Sequence, residues 1–283
     1  MEHHISSTDL QNTLLAETLQ ALSLCYSEIG QEVYVVGATA RDIALRIADI
    51  PNVPRRTLDL DVAIALQNWE QFTRLTEILL QAHFEKAPEK QRFYYKGADG
   101  QNNYEVDIVP FGAVALNDCI AWPPEGSPVM SVRCFDDVMR IADKVYIDNL
   151  FSFRIAPLSG QFLIKLDTWQ DRHLSTKKDA ADMVYILQNV YTAYALSHTD
   201  FPAEISIDID NFDVIVAGAE WMATELKSFL SSTNRTYYAQ LLLQEYQKEE
   251  NSRLLNDMLD AAGGRYYALF RQAFLRIAQI LEQ

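Results

Sequence analysis

Over TLDLDVAIAL, residues Thr57 to Leu66, the apolar side chains Leu60, Val62, Ile64 and Leu66 alternate with Asp59, Asp61, Ala63 and Ala65. A period of two belongs to a β-strand, and it gives this one an apolar face and an acidic-to-small face. The chain must therefore build a sheet and bury one side of it. Residues two apart on a strand point the same way, so Asp59 and Asp61 bring their carboxylates together on the other side. Two like charges this close raise each other's pKa, a cost usually met by a cation in the gap. Taken alone, the pair also suits the exposed face of an edge strand.

The surrounding pattern alternates strands and helices. EVYVVG (Glu32 to Gly37) reads as a short buried strand, and ATARDIALRIADI as a helix starting directly after the glycine. The spacing predicts an amphipathic helix from Asp9 to about Ile29, capped by Ser7 or Thr8 and carrying Leu10, Leu14, Leu15, Leu19 and Leu22. Beyond the loop PNVPRR and the acidic strand, another helix is predicted from Asn68 to Ala82. RFYYKG and NYEVDIVPFG then read as a hairpin turning at Ala98, Asp99 and Gly100. Leu116 to Ser131 contains Pro123, Pro124, Gly126 and Pro128, so it should break any regular element and pass over the active face. KVYIDNLFSFRIAPL reads as short strands ending in a proline-marked turn.

From Leu158 onward the spacing is helical: Gly160 to Arg172, Ser175 to Tyr194, Asp213 to Phe229, Arg235 to about Met258, and Gly264 to Glu282. The expected class is α/β (α+β), a mixed sheet flanked by helices over residues 1–156 followed by a helical domain over 157–283. At 283 residues a two-domain chain is the natural size. The 24 basic and 39 acidic residues leave a net charge of −15, which disfavours non-specific coating of nucleic acid. Cys25, Cys119 and Cys134 have neither the number nor the spacing of a disulfide framework or a zinc ribbon. No apolar run approaches the roughly 20 residues of a membrane span, and MEHHISSTDL lacks the charged start and apolar core of a signal peptide. The expectation is a cytoplasmic protein with no membrane partner.

Two features join the acidic pair. Asp107 lies in YEVDIVPF with Val106 and Ile108 facing the other way, so a third carboxylate can reach the first two across the sheet. In VVGATARD a strand runs through Gly37 into a helix whose free N–H groups and positive dipole end suit an anion, with the Thr39 hydroxyl beside them. VVGATARD, then RRTLDLDVAI, then VDIVPFG resembles the DNA polymerase β-like nucleotidyltransferase superfamily, and LIKLDTWQDRHLSTKKDAADMVYIL is similar to the AbiEii-type toxins of type IV toxin–antitoxin systems. The resemblance covers Val33 to Leu187. It implies a nucleotidyltransferase-fold sheet, two Mg²⁺ (or Mn²⁺) ions held by Asp59, Asp61 and Asp107, and a triphosphate on the segment of Gly37, Ala38 and Thr39. The Gly37-Ala38 pair departs from the family's Gly-Gly or Gly-Ser. The spacing to Asp59 is instead similar to that of CCA-adding enzymes, whose Gly-Gly-x-x-Arg-Asp segment aligns with Gly37 to Asp42. Arg41 then mirrors a structural or nucleotide-facing arginine of those enzymes, or Arg41 or Asp42 forms a salt bridge within the domain.

On the first predicted helix of the second half, Lys165, Trp169 and Arg172 share a face. That cationic face suits a triphosphate or an acceptor, or it is an exposed face paired with Asp167 or Asp171. Asp179 falls on the apolar stripe of Met183, Ile186 and Val190 and must be paired or lie at a cleft edge, with Lys165 its partner and Asp182 beside it. The resemblance to AbiEii-type proteins implies that Lys165, Asp179 and Asp182 are active-site residues and that the helical domain completes the cleft. The competing interpretation is a buried ion pair joining two helices. The expected function is Mg²⁺-dependent transfer of a nucleoside monophosphate from an NTP to an acceptor hydroxyl of tRNA, protein or a small molecule, with an antitoxin as a possible partner. The alternative is a nucleotide-binding or partner-binding module of the same fold without catalysis.

Overall fold

The protein is described by a computed structural model over residues 1–50, 59–97, 100, 102–197, 201, 202, 205 and 212–283. The expected loop PNVPRR and the turn residues Ala98 and Asp99 lie outside the described residues. The chain divides into two compact units, one comprising Met1–Ile47 with Asn52–Pro157, the other Leu158–Gln283 with Ala48–Pro51.

In chain order the first unit carries β1 (Glu2–Ile5), α1 (Thr13–Ser27), β2 (Tyr34–Val36), α2 (Gly37–Ile47), β3 (Asp59–Leu66), α3 (Trp69–Gln81) and β4 (Phe84–Lys86). It continues with β5 (Arg92–Lys96), β6 (Asn103–Gly112), β7 (Cys119–Ala121), β8 (Val129–Ser131), α4 (Phe135–Arg140), β9 (Asp143–Ile147) and β10 (Phe151–Ile155). Eight of these strands form one mixed sheet in the order β1-β9-β10-β2-β3-β6-β5-β4. The acidic strand β3 is central, antiparallel to β2 and parallel to β6 in a register running from Asp59 beside Glu105 to Leu66 beside Gly112. Leu60, Val62, Ile64, Leu66, Val106 and Ile108 are fully buried, as the period of two requires. Helices α1 and α3 touch each other and lie against β10, β6, β3 and β4.

Local chemistry explains where the elements depart from expectation. The first helix starts at Thr13 rather than Asp9, and neither Ser7 nor Thr8 is its cap. Ser6 and Asp9 close a reciprocal capping box around a single 3₁₀ turn, Gln11 takes a left-handed φ of 53°, and Asn12 then caps α1 through the Leu15 N–H at 3.1 Å. The segment Leu116 to Ser131 is not devoid of regular structure. Its prolines sit in and beside the turn, leaving Ile120 free to pair with Met130 in the β7–β8 ladder. Trp122 is buried there against Trp69 and Phe72 of α3.

The second unit carries α5 (Leu158–Arg172), α6 (Lys178–Ser197), α7 (Val214–Phe229), α8 (Ser232–Gln247), α9 (Arg253–Ala261) and α10 (Tyr267–Glu282). Gly218 is required where α7 meets α6, because a Cβ there would stand 2.8 Å from Val190 Cγ1 and 2.9 Å from the Tyr191 nitrogen. The single helix expected from Arg235 to Met258 is two helices. Glu249 turns left-handed at φ 49°, and Ser252 both caps α9 through the Leu255 N–H and donates to Glu245 at 2.6 Å. Phe270, Phe274, Ile277 and Leu281 of α10 are buried as predicted, whereas Tyr266 precedes the helix and is exposed. Among the described residues no helix is long and apolar enough to cross a membrane.

Candidate active site

The register of the central strands places the acids. Asp61 lies beside Asp107 and Asp59 beside Glu105. Neighbouring strands run about 4.8 Å apart with in-register side chains on one face, so four carboxylates share that face at two adjacent pleats. Antiparallel pairing extends the first row at both ends, setting Val36 beside Asp61 and Arg92 beside Asp107, and brings Tyr94 beside Glu105 in the second. Asp59 is exposed, while Asp61, Glu105 and Asp107 are half-buried. The face is open enough for a ligand and sheltered enough for charges to act on one another.

Asp61 is turned toward the start of α2. Gly37 has φ +69°, and a Cβ built on it would run into Oδ2 of Asp61 and stand 3.2 Å from that residue's Cβ and Cγ. Only glycine leaves room for the carboxylate and accepts this backbone conformation. The acid therefore sits at the positive end of the α2 dipole. Gly37→Ala is expected to lose about 1–2 kcal/mol from the left-handed backbone alone, with a further loss as Asp61 is displaced. Urea denaturation measures this, and a variant as stable as the parent would mean that Asp61 does not lodge there.

Asp107 is held from the other side. Arg92 donates from Nε to Oδ1 and from a terminal nitrogen to Oδ2, both at 2.9 Å, and also reaches Glu105 at 2.8 Å. The bond to Asp107 raises the Arg92 pKa, keeping the guanidinium charged. Glu105 is pushed upward by burial, then by Asp107, Asp59 and Glu89, against the pull of Arg92. With Asp61 lodged against Gly37 and Asp107 clamped by Arg92, the described residues offer no group of three His, Cys, Asp or Glu placed to hold an ion as they stand. Even so, the donor chemistry fits Mg²⁺ or Mn²⁺, since all four acids offer hard oxygen ligands on a half-open face.

Ala38 is half-buried, Thr39 is buried, and Arg41, also buried, bonds Asp42 at 2.9 and 3.0 Å. This contact is a salt bridge within the first unit, one of the readings open for Arg41.

In the second unit Lys165 binds Asp182 at 2.8 Å and Asp179 at 3.4 Å, while Arg172 grips both oxygens of Asp179 at 2.8 Å. Asp179 is fully buried. Along the face expected of Lys165, Trp169 and Arg172, both cations are engaged by acids of α6. A buried carboxylate needs compensation, and both the mostly buried Lys165 and the half-exposed Arg172 bind it. Trp169 is itself buried, donating to Asp257 at 3.1 Å and stacking on His173. Asp167 accepts the Tyr238 hydroxyl at 2.7 Å. Lys165, Arg172, Asp179 and Asp182 thus balance two charges against two across α5 and α6.

Sequence reasoning missed Arg92 and Glu105. The second was within reach, two residues before Asp107 on the same strand face. No protein-family model matches the chain, and no curated protein matches it either.

Proposed function

We propose that the acidic face of the first unit carries out nucleotidyl transfer, moving a nucleoside monophosphate from an NTP to an acceptor hydroxyl. The observation that carries this reading is the side-by-side register of Asp61 and Asp107, with Asp59 one pleat away and a glycine-led helix N-terminus against Asp61. Asp59, Asp61 and Asp107 would hold Mg²⁺ or Mn²⁺. When bound, such an ion neutralises triphosphate charge and lowers the pKa of the acceptor hydroxyl. The acceptor oxygen attacks the α-phosphorus, the P–O bond to the β-phosphate breaks, and pyrophosphate leaves as the hydroxyl proton is released. The chain contributes alignment and charge placement, with the first N–H groups of α2 facing the phosphates.

The test is pyrophosphate release from each NTP with Mg²⁺ or Mn²⁺ over tRNA, protein and aminoglycoside acceptors. One NTP and acceptor pair is expected to give release that a chelator abolishes. The Arg92 clamp on Asp107 favours a second reading, a nucleotide-binding module that does not turn over. Metal-dependent nucleotide binding with no release on any acceptor would support that reading. The resemblance of LIKLDTWQDRHLSTKKDAADMVYIL to AbiEii-type toxins supports an antitoxin as a further partner.

A further inference from the structure

The geometry points to Arg92 as the residue that grips the triphosphate, exchanging its bidentate hold on Asp107 for the phosphate oxygens as substrate enters. This rests on the nucleotidyl-transfer reading of the acidic face. Arg92 is in cross-strand register with Asp107 and occupies both of its oxygens, so Asp107 is not available to a cation while the clamp is closed. A guanidinium fork fits phosphate as well as it fits carboxylate. Its side chain keeps 26% of its exposure, enough to leave one partner for another at the open side of the sheet.

Charge balance favours the exchange. Asp59, Asp61, Glu105 and Asp107 share the face with Arg92, and a divalent cation that takes Asp107 must first displace the guanidinium. Without nucleotide, that displacement strands a charged arginine beside the metal. With nucleotide, the arginine finds an anion, and the carboxylate it leaves is the one the cation needs. Metal and nucleotide therefore help each other bind through Arg92, and each alone binds weakly.

The test compares the wild type with Arg92→Ala and Arg92→Lys, measuring Mn²⁺ affinity by electron paramagnetic resonance, with and without a non-hydrolysable NTP analogue, and nucleotide affinity by calorimetry. Arg92→Ala is expected to tighten Mn²⁺ binding in the absence of nucleotide by about tenfold. It should also weaken nucleotide binding by roughly 10- to 100-fold and abolish the mutual enhancement. Arg92→Lys keeps the charge without the fork and guards against a folding defect. It should recover only part of the nucleotide affinity. Opposite signs for metal and nucleotide in Arg92→Ala are what a purely structural arginine does not produce. Both affinities falling together, both rising together, or an unchanged enhancement would overturn the inference while leaving the nucleotidyl-transfer reading in place. A wild-type protein that binds no nucleotide with any divalent cation would remove that reading, and the role of Arg92 with it.

Discussion

Asp61→Asn is expected to lower pyrophosphate release by roughly 100- to 1,000-fold with little loss of stability. The carboxamide is the same size, so it still fits the space that Gly37 leaves open. Folding loses only the charge–dipole contribution, about 0.3–1 kcal/mol, partly offset by relief of repulsion from Asp107 in the neighbouring register position. On the proposed reading, metal binding loses one of its anionic ligands. The measurements are Mn²⁺ affinity, nucleotide-dependent labelling of the acceptor, and a urea melt. A variant that melts like the parent and keeps its rate would remove Asp61 from the chemistry. One that unfolds early would give Asp61 a mainly structural role at the α2 N-terminus.

The acidic face could be read before any coordinates because a strand's period of two decides which side chains share a face. That rule placed Asp59 with Asp61, and applied to YEVDIV it also places Glu105 with Asp107. Arg92 obeys a different constraint. Whether it meets Asp107 depends on the β5–β6 register, and a slip of one residue would set Phe93 there and turn Arg92 to the opposite face.

Long-range pairing hides β1 in the same way. EHHI has one apolar residue, and it is held by parallel pairing to β9 and by the Met1 ammonium on Asp143, 142 residues away. Helical phase, by contrast, put Asp179 on an apolar stripe and so demanded a cationic partner. It could not tell that Arg172, four bonds from backbone to guanidinium, would bend back to the same carboxylate.

That carboxylate carries the largest stability effect expected in the chain. Asp179→Ala leaves Lys165 and Arg172 with Asp182 as the remaining acid of their cluster, one of the two cations at 13% exposure and the other at 49%. Removing one member of a buried charge cluster costs about 3–5 kcal/mol. The Lys165 side carries most of that, since solvent screens the half-exposed Arg172. The melting temperature should fall by on the order of 10 °C. Lys165→Met removes one of the cations facing Asp179 while keeping the apolar stem packed, and should cost less because Arg172 remains. If these residues instead serve transfer directly, as the motif resemblance implies, Lys165→Met would abolish pyrophosphate release at an unchanged melting temperature. Thermal melts and release rates on both variants separate the two roles, because a charge cluster that only joins α5 to α6 loses stability first and activity in proportion to it.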